Sequence, residues 1–199
     1  MRLVLFRSVL AAGLAFLCLP VLTVLAADLG ESAIGDAAAP VTIIEYSSLT
    51  CPHCAAFHSK TLPELKKRYI DTGKVRLVLR DFPLDQVALK AAVIAHCAGP
   101  ERRPQFIDVF FAQQASWTRA KEPVQALKQL AQLGGLSAAQ ADACLADKGL
   151  EDAVLQARLD GQQKFDISST PTFIVGGKSY PGDQSIEQFA ALIDPLLGQ

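Results

Sequence analysis

Net charge is the first thing this chain lacks. Its 19 basic and 20 acidic residues leave −1 at pH 7, which excludes a strong electrostatic pull toward nucleic acid or an anionic membrane surface. It also lacks internal repeats and low-complexity segments, so neither a solenoid nor a long linker organises it. A phosphate loop is missing too. Gly177-Lys178-Ser179 has the right ending, but the earlier glycine such a loop needs falls at Thr172. No second CxxC or histidine pair is present to complete a metal site around Cys51, Cys54 and His58, so neither a metal nor a dissociable cofactor is expected. Strand-like patterns are absent from Leu84 to about Asp166. What is there is an ordinary globular composition, 50% hydrophobic and 20% charged, enough for one compact core or a core with one insertion.

The N-terminus differs from the rest. Arg2 and Arg7 precede an apolar run from Val9 to Ala27, which exits through small residues. This order marks a secretory signal peptide. Val24-Leu25-Ala26 places the cut after Ala26, with Ala27 as a near alternative; an uncleaved anchor is the competing reading, because the run approaches the roughly 20 residues that span a bilayer. Leu17 stands where a lipidated Cys18 would need a small residue, which argues against a lipoprotein. Removing residues 1–26 takes away two arginines and no acid, leaving 17 basic and 20 acidic residues, net −3. It also leaves four cysteines, Cys51, Cys54, Cys97 and Cys144. An even number in an exported chain points to pairing.

After a short polar lead, Asp28 to Ala39, the β-branched run 41–46 predicts a buried strand. The spacing of Phe57, Leu62, Leu65 and Tyr69 predicts a helix from Ala55 to Ile70, kinked at Pro63. Residues 74–80 predict a second strand, parallel to the first through a right-handed crossover. Five helices are expected between Leu84 and Asp166. The fourth opens on the capping box Ser137-x-x-Gln140 and ends near Gly149; the fifth covers 150–164, its end weakened by Gly161. Thr172 to Val175 and Lys178 to Tyr180, joined by Gly176-Gly177, predict a hairpin. Ser185-x-x-Gln188 caps a last helix. The expected order is β-α-β, a helical insertion, then β-β-α.

Cys51-Pro52-His53-Cys54 sits where the first strand meets the first helix, a thioredoxin-like redox arrangement. A thiol attacks a disulfide only as its thiolate. Cys51 just before a helix N-terminus meets free N–H groups and a favourable dipole, Pro52 suits the first helical position, and the His53 ring can donate to the Cys51 sulfur or face it as a cation. A stabilised thiolate leaves easily, so the disulfide should be an oxidant. Cys54, one turn in, is expected to be more buried and to act as the resolving sulfur. A plain structural bridge here would close too small a loop to stabilise much. Glu45 is either a solvated edge glutamate or a buried carboxyl exchanging protons with Cys54. Thr170-Pro171 is either an ordinary strand start or a cis peptide. Cys97 and Cys144, on two different inserted helices, are expected to form a structural disulfide closing a loop of about 48 residues. His58 and His96 read as surface or packing residues.

Cys51-Pro52-His53-Cys54, Glu45 six residues upstream, and Thr170-Pro171-Thr172-Phe173 after a helical stretch together resemble the DsbA-type thiol:disulfide oxidoreductases of the bacterial periplasm. The resemblance covers roughly residues 40–197. It implies an α/β, thioredoxin-like fold with an inserted all-helical domain, and Pro171 cis and packed against the active-site cysteines. It implies that the backbone around Thr170 pairs with an extended substrate segment. Family members oxidise unfolded or reduced exported proteins through a mixed disulfide at Cys51, resolved by Cys54, and a membrane quinone-linked partner of the DsbB type re-oxidises them. The resulting expectation is a monomeric periplasmic oxidase with residues 1–26 as signal peptide, 27–83 and 167–199 as the two parts of the thioredoxin-like domain, and 84–166 as the helical insertion. Its rivals are a periplasmic isomerase or reductase, a copper- or zinc-binding thiol protein, and a chaperone-like binder.

Overall fold

The computed structural model describes residues 28–198. The expected signal peptide, its two cleavage positions and Cys18 lie outside the described residues. The sheet has five strands in the order β1-β3-β2-β4-β5: β1 Ala33–Ile34, β2 Val41–Ser47, β3 Val75–Asp81, β4 Thr172–Val175 and β5 Lys178–Pro181. At its centre β2 pairs in parallel with β3, Val41 opposite Val75 through Ser47 opposite Asp81. On its other side β2 pairs antiparallel with β4, Tyr46 opposite Thr172. That register brings the start of β4, and Thr170-Pro171 just before it, to the same end of the sheet where β2 delivers Cys51. The two-residue β1 adds to β3 as an antiparallel edge. The sequence reading has only a lead there, because two residues carry no periodicity.

The helix after β2 runs from Pro52 to Ile70 as four joined pieces: α1 Pro52–Ala56, a π-helical turn Phe57–Thr61, α2 Leu62–Leu65 and a second π-helical turn Lys66–Ile70. Around Pro63, where a kink is expected, the helix widens into π-helical turns. The Leu62 N–H reaches back to the Phe57 carbonyl, five residues away, and Pro63 opens the next α-helical piece, where its missing N–H does least harm. One face of the helix packs on the sheet. Phe57 lies 4.7 Å from Phe173 of β4 between ring centroids, and Phe173 lies 4.9 Å edge-on from Phe189 of the last helix, α9 Ile186–Leu197. All three rings are fully buried.

Between β3 and β4 come α3 Gln86–His96, α4 Arg103–Ala112, α5 Gln114–Thr118, α6 Pro123–Leu133, α7 Ala138–Ala146 and α8 Lys148–Phe165. This group is built round Phe106, Phe110, Phe111, Trp117 and Leu127. Two boundaries differ from expectation, and one short helix, α5, was not anticipated. Helix α7 stops at Ala146 rather than near Gly149, because the Asp147 side chain accepts the Leu150 N–H and starts α8. Gly161 does not weaken the end of α8. It lies inside the helix, buried against Tyr46 of β2, where an added Cβ would stand 2.4 Å from the ring. Its lack of a side chain lets helix and sheet close up.

Candidate active site

Cys51 caps α1 with extended backbone, φ −78° and ψ 120°, and Pro52 follows at the first helical position. This places the Cys51 Sγ over the free N–H groups of the first turn. The Cys54 N–H donates to Cys51 Sγ at 3.4 Å, and Cys51 Sγ donates to the Thr170 carbonyl at 3.3 Å. Both cysteines are free thiols. Cys51 is 6% exposed and Cys54 fully buried. The Thr170-Pro171 bond is cis, and the Pro171 carbonyl accepts the Gly182 N–H at 2.8 Å.

The electrostatics of the two sulfurs diverge. The hydrogen bond from the Cys54 thiol, with help from the Thr170 side chain and the N–H groups of Cys54 and His53, overcomes burial and pulls the Cys51 thiol down to about 5. Burial, then the hydrogen bond to Cys51, then the charge of Glu45 push Cys54 far up. One sulfur is held as a thiolate and its neighbour as a thiol, a division that suits nucleophile and resolving group. His53 contributes through its backbone; its exposed ring makes no hydrogen bond to Cys51 among the described residues.

Glu45 is fully buried in β2 and faces His58, whose Nε2 lies 3.2 and 3.1 Å from the two carboxylate oxygens. The other ring nitrogen, Nδ1, lies 3.1 Å from Asp108 Oδ1 on α4. Burial opposes charging of His58, but the Glu45 charge and the hydrogen bond to Asp108 outweigh it and raise the imidazole to about 9. His58 is therefore neither a surface nor a plain packing residue. His96 is likewise engaged, with Nε2 2.7 Å from Asp81, which also holds Arg103 at 2.6 Å. Burial works against that carboxylate, yet Arg103 and His96 hold it well below the usual range. Sequence reading missed Gln114 entirely. Its amide donates to the Leu49 carbonyl at 2.8 Å and the Cys51 carbonyl at 3.0 Å, bracing the turn before α1 from the helical insertion. No local signal marks such a residue, because its partners are 65 and 63 positions away. Cys97 and Cys144 are joined, with Cα atoms 6.2 Å apart, tying the end of α3 to α7. Among the described residues no cluster of three or more metal-ligating side chains occurs, and no helix is long and apolar enough to cross a membrane.

A dithiol at a helix N-terminus, facing a cis proline at the start of the strand that pairs antiparallel with β2, defines a dithiol protein of the thioredoxin fold. The comparisons narrow this. A family model described as thioredoxin matches residues 28–195. A protein of Rickettsia felis named as a protein-disulfide oxidoreductase is 33% identical over 180 residues, 89% of this chain and 64% of the relative. A second, from Rickettsia conorii, is 34% identical over 172 residues, 85% and 61%. The chain thus spans a little over three fifths of the length of these relatives. The crystal structure of Wolbachia pipientis alpha-DsbA1 superposes with a TM-score of 0.79 and 31% identity, covering 92% of this chain and 94% of that one. BdbD from Bacillus subtilis, oxidised, shares the fold at a TM-score of 0.73 and 22% identity, over 85% and 94% of the two chains. The chain belongs to the thioredoxin family and, within it, to the DsbA-type thiol:disulfide oxidoreductases.

Proposed function

We propose that the protein donates disulfides to reduced, unfolded exported proteins through the Cys51–Cys54 pair. The observation that carries this is the contrast between the two sulfurs: a stabilised thiolate at Cys51 beside a buried thiol at Cys54. A substrate thiolate attacks Cys51 of the disulfide form, and Cys54 leaves. The substrate's second thiolate then attacks its own sulfur in the mixed disulfide and expels Cys51, a good leaving group. Pro52 sets the helix start, His53 supplies its N–H to the thiolate, and Glu45 exchanges the Cys54 proton. Thr170 and Pro171 form the ledge on which an extended substrate segment lies, its backbone pairing beside β4. The Cys97–Cys144 bridge is structural, within an insertion taken as 84–166 between the thioredoxin-like parts 27–83 and 167–199. Re-oxidation falls to a membrane quinone-linked partner of the DsbB type. We place the monomeric protein in the periplasm, on the family's habit and the character of residues 1–26.

The test mixes the disulfide form with a reduced two-cysteine peptide. The proposal expects the peptide to gain a disulfide while one chain is reduced, and Cys51→Ala to abolish transfer. Peptide thiols that persist undiminished contradict it.

A further inference from the structure

Leaving and re-entry of Cys54 each require a proton at a sulfur with no access to water. When Cys54 is expelled from the disulfide, its sulfur takes up one proton. When Cys54 attacks the mixed disulfide at Cys51 during re-oxidation, its S–H bond breaks, a Cys51–Cys54 bond forms, the partner's sulfur departs with the electron pair, and one proton must reach solvent. Glu45 is itself fully buried, so it cannot exchange with water alone.

We propose that His58 and Asp108 complete the proton path between the Cys54–Glu45 pair and solvent. Cys54 and His58 stand four residues apart on one helix and so share a face. His58 spans the gap with both ring nitrogens: Nε2 on Glu45 at 3.1 Å and Nδ1 on Asp108 at 3.1 Å. The His58 side chain is 3% exposed, that of Asp108 44%. His58 and Asp108 both line a cavity of about 490 Å³ between the first helix and α4, together with Lys66, Asp71 and Phe111. Water in that cavity meets Asp108 directly. Because the two nitrogens face opposite ends, the ring in its neutral Nδ1–H form accepts a proton at Nε2 and releases one at Nδ1, and the outward and inward transfers of one redox cycle restore that form without the ring turning. The charged groups that set its behaviour are Glu45 from β2 and Asp108 from α4, while Lys66 and Asp71 line the same cavity. His58 acts on Cys54 through Glu45, as a positioning and relay residue.

This inference rests on disulfide exchange at Cys51–Cys54, and its test separates the two. Reduced protein is mixed with oxidised glutathione, and closure of the mixed disulfide by Cys54 is followed in rapid-quench experiments from about pH 6 to 8. The wild-type rate is expected to change little with pH. His58→Gln is expected to slow closure on the order of a hundredfold at neutral pH, the lower end of the range for assisted proton transfer. Its rate should climb with pH as hydroxide takes over. Asp108→Asn, at a half-exposed position, is expected to shift the profile in the same sense by a smaller factor. Alkylation of Cys51 should still titrate near 5 in wild type and both variants. Variant profiles that superpose on the wild type overturn the relay and leave the exchange reading standing. A wild-type Cys51 that does not titrate near 5 removes the exchange reading itself.

Discussion

At the scale of single residues, the unusual charges are a buried imidazolium and a thiolate only 6% exposed, and each has a pH signature. His58 is raised from 6.5 to about 9. Its contribution to stability is therefore fully present below about pH 6.5 and lost as pH rises through about 9. The stability difference between wild type and His58→Gln, from denaturant unfolding of the disulfide form, should shrink between pH 7 and pH 10. A difference that grows over that range contradicts the assignment. Gln114 gives a second expectation. Gln114→Ala leaves the Leu49 carbonyl without this donor and removes one of two from the Cys51 carbonyl, which keeps the Ala55 N–H, and should cost about 1–2 kcal/mol in the same measurement. Cys51, Pro52 and Cys54 were readable from the motif alone, because a helix start fixes which residue caps it. The partners of Glu45 were not. A glutamate in an apolar strand and a histidine 13 positions later look unrelated until the helix crosses the strand.

At the scale of elements, strands β2 to β5 were legible through β-branched runs and turn glycines. The five larger inserted helices were legible through apolar spacing and caps such as Ser137, and the last helix through Ser185; both serines form capping boxes. What sequence could not give is long-range pairing: the two-residue β1, the short α5, and the π-helical turns that relieve Pro63. Gly161 shows the same limit, since helix propensity alone makes it a weak point while packing makes it a contact. Gly161→Ala should gain the usual helix-forming advantage of about 1 kcal/mol, yet a Cβ 2.4 Å from Cε1 of Tyr46 must push α8 off β2. A net loss of about 1–3 kcal/mol is expected from thermal unfolding; a stabilised variant would show that the ring yields freely.

At the scale of the whole molecule, the sheet carries the dithiol and the helical insertion holds it in place. Gln114 braces the turn before α1, Asp108 meets His58, and Arg103 and His96 grip Asp81 at the end of β3. The Cys97–Cys144 bridge, spanning 47 positions, limits the insertion's freedom when unfolded. Replacing both cysteines by alanine should lower stability by up to about 4 kcal/mol, read as a lower denaturant midpoint, while Cys51 alkylation still titrates near 5. These long-range ties are also why the architecture was readable in outline but the site's inner wiring was not.

The central claim, that the fold stabilises the Cys51 thiolate enough to make the protein a disulfide donor, is tested most directly by its reduction potential. The protein would be equilibrated with glutathione buffers and the Cys51–Cys54 state read by thiol trapping, with the Cys97–Cys144 pair followed separately. With the Cys51 thiol at about 5, the account predicts a value near the roughly −120 mV of DsbA. A value near the roughly −270 mV of thioredoxin would contradict it and leave a reductase built on the same fold.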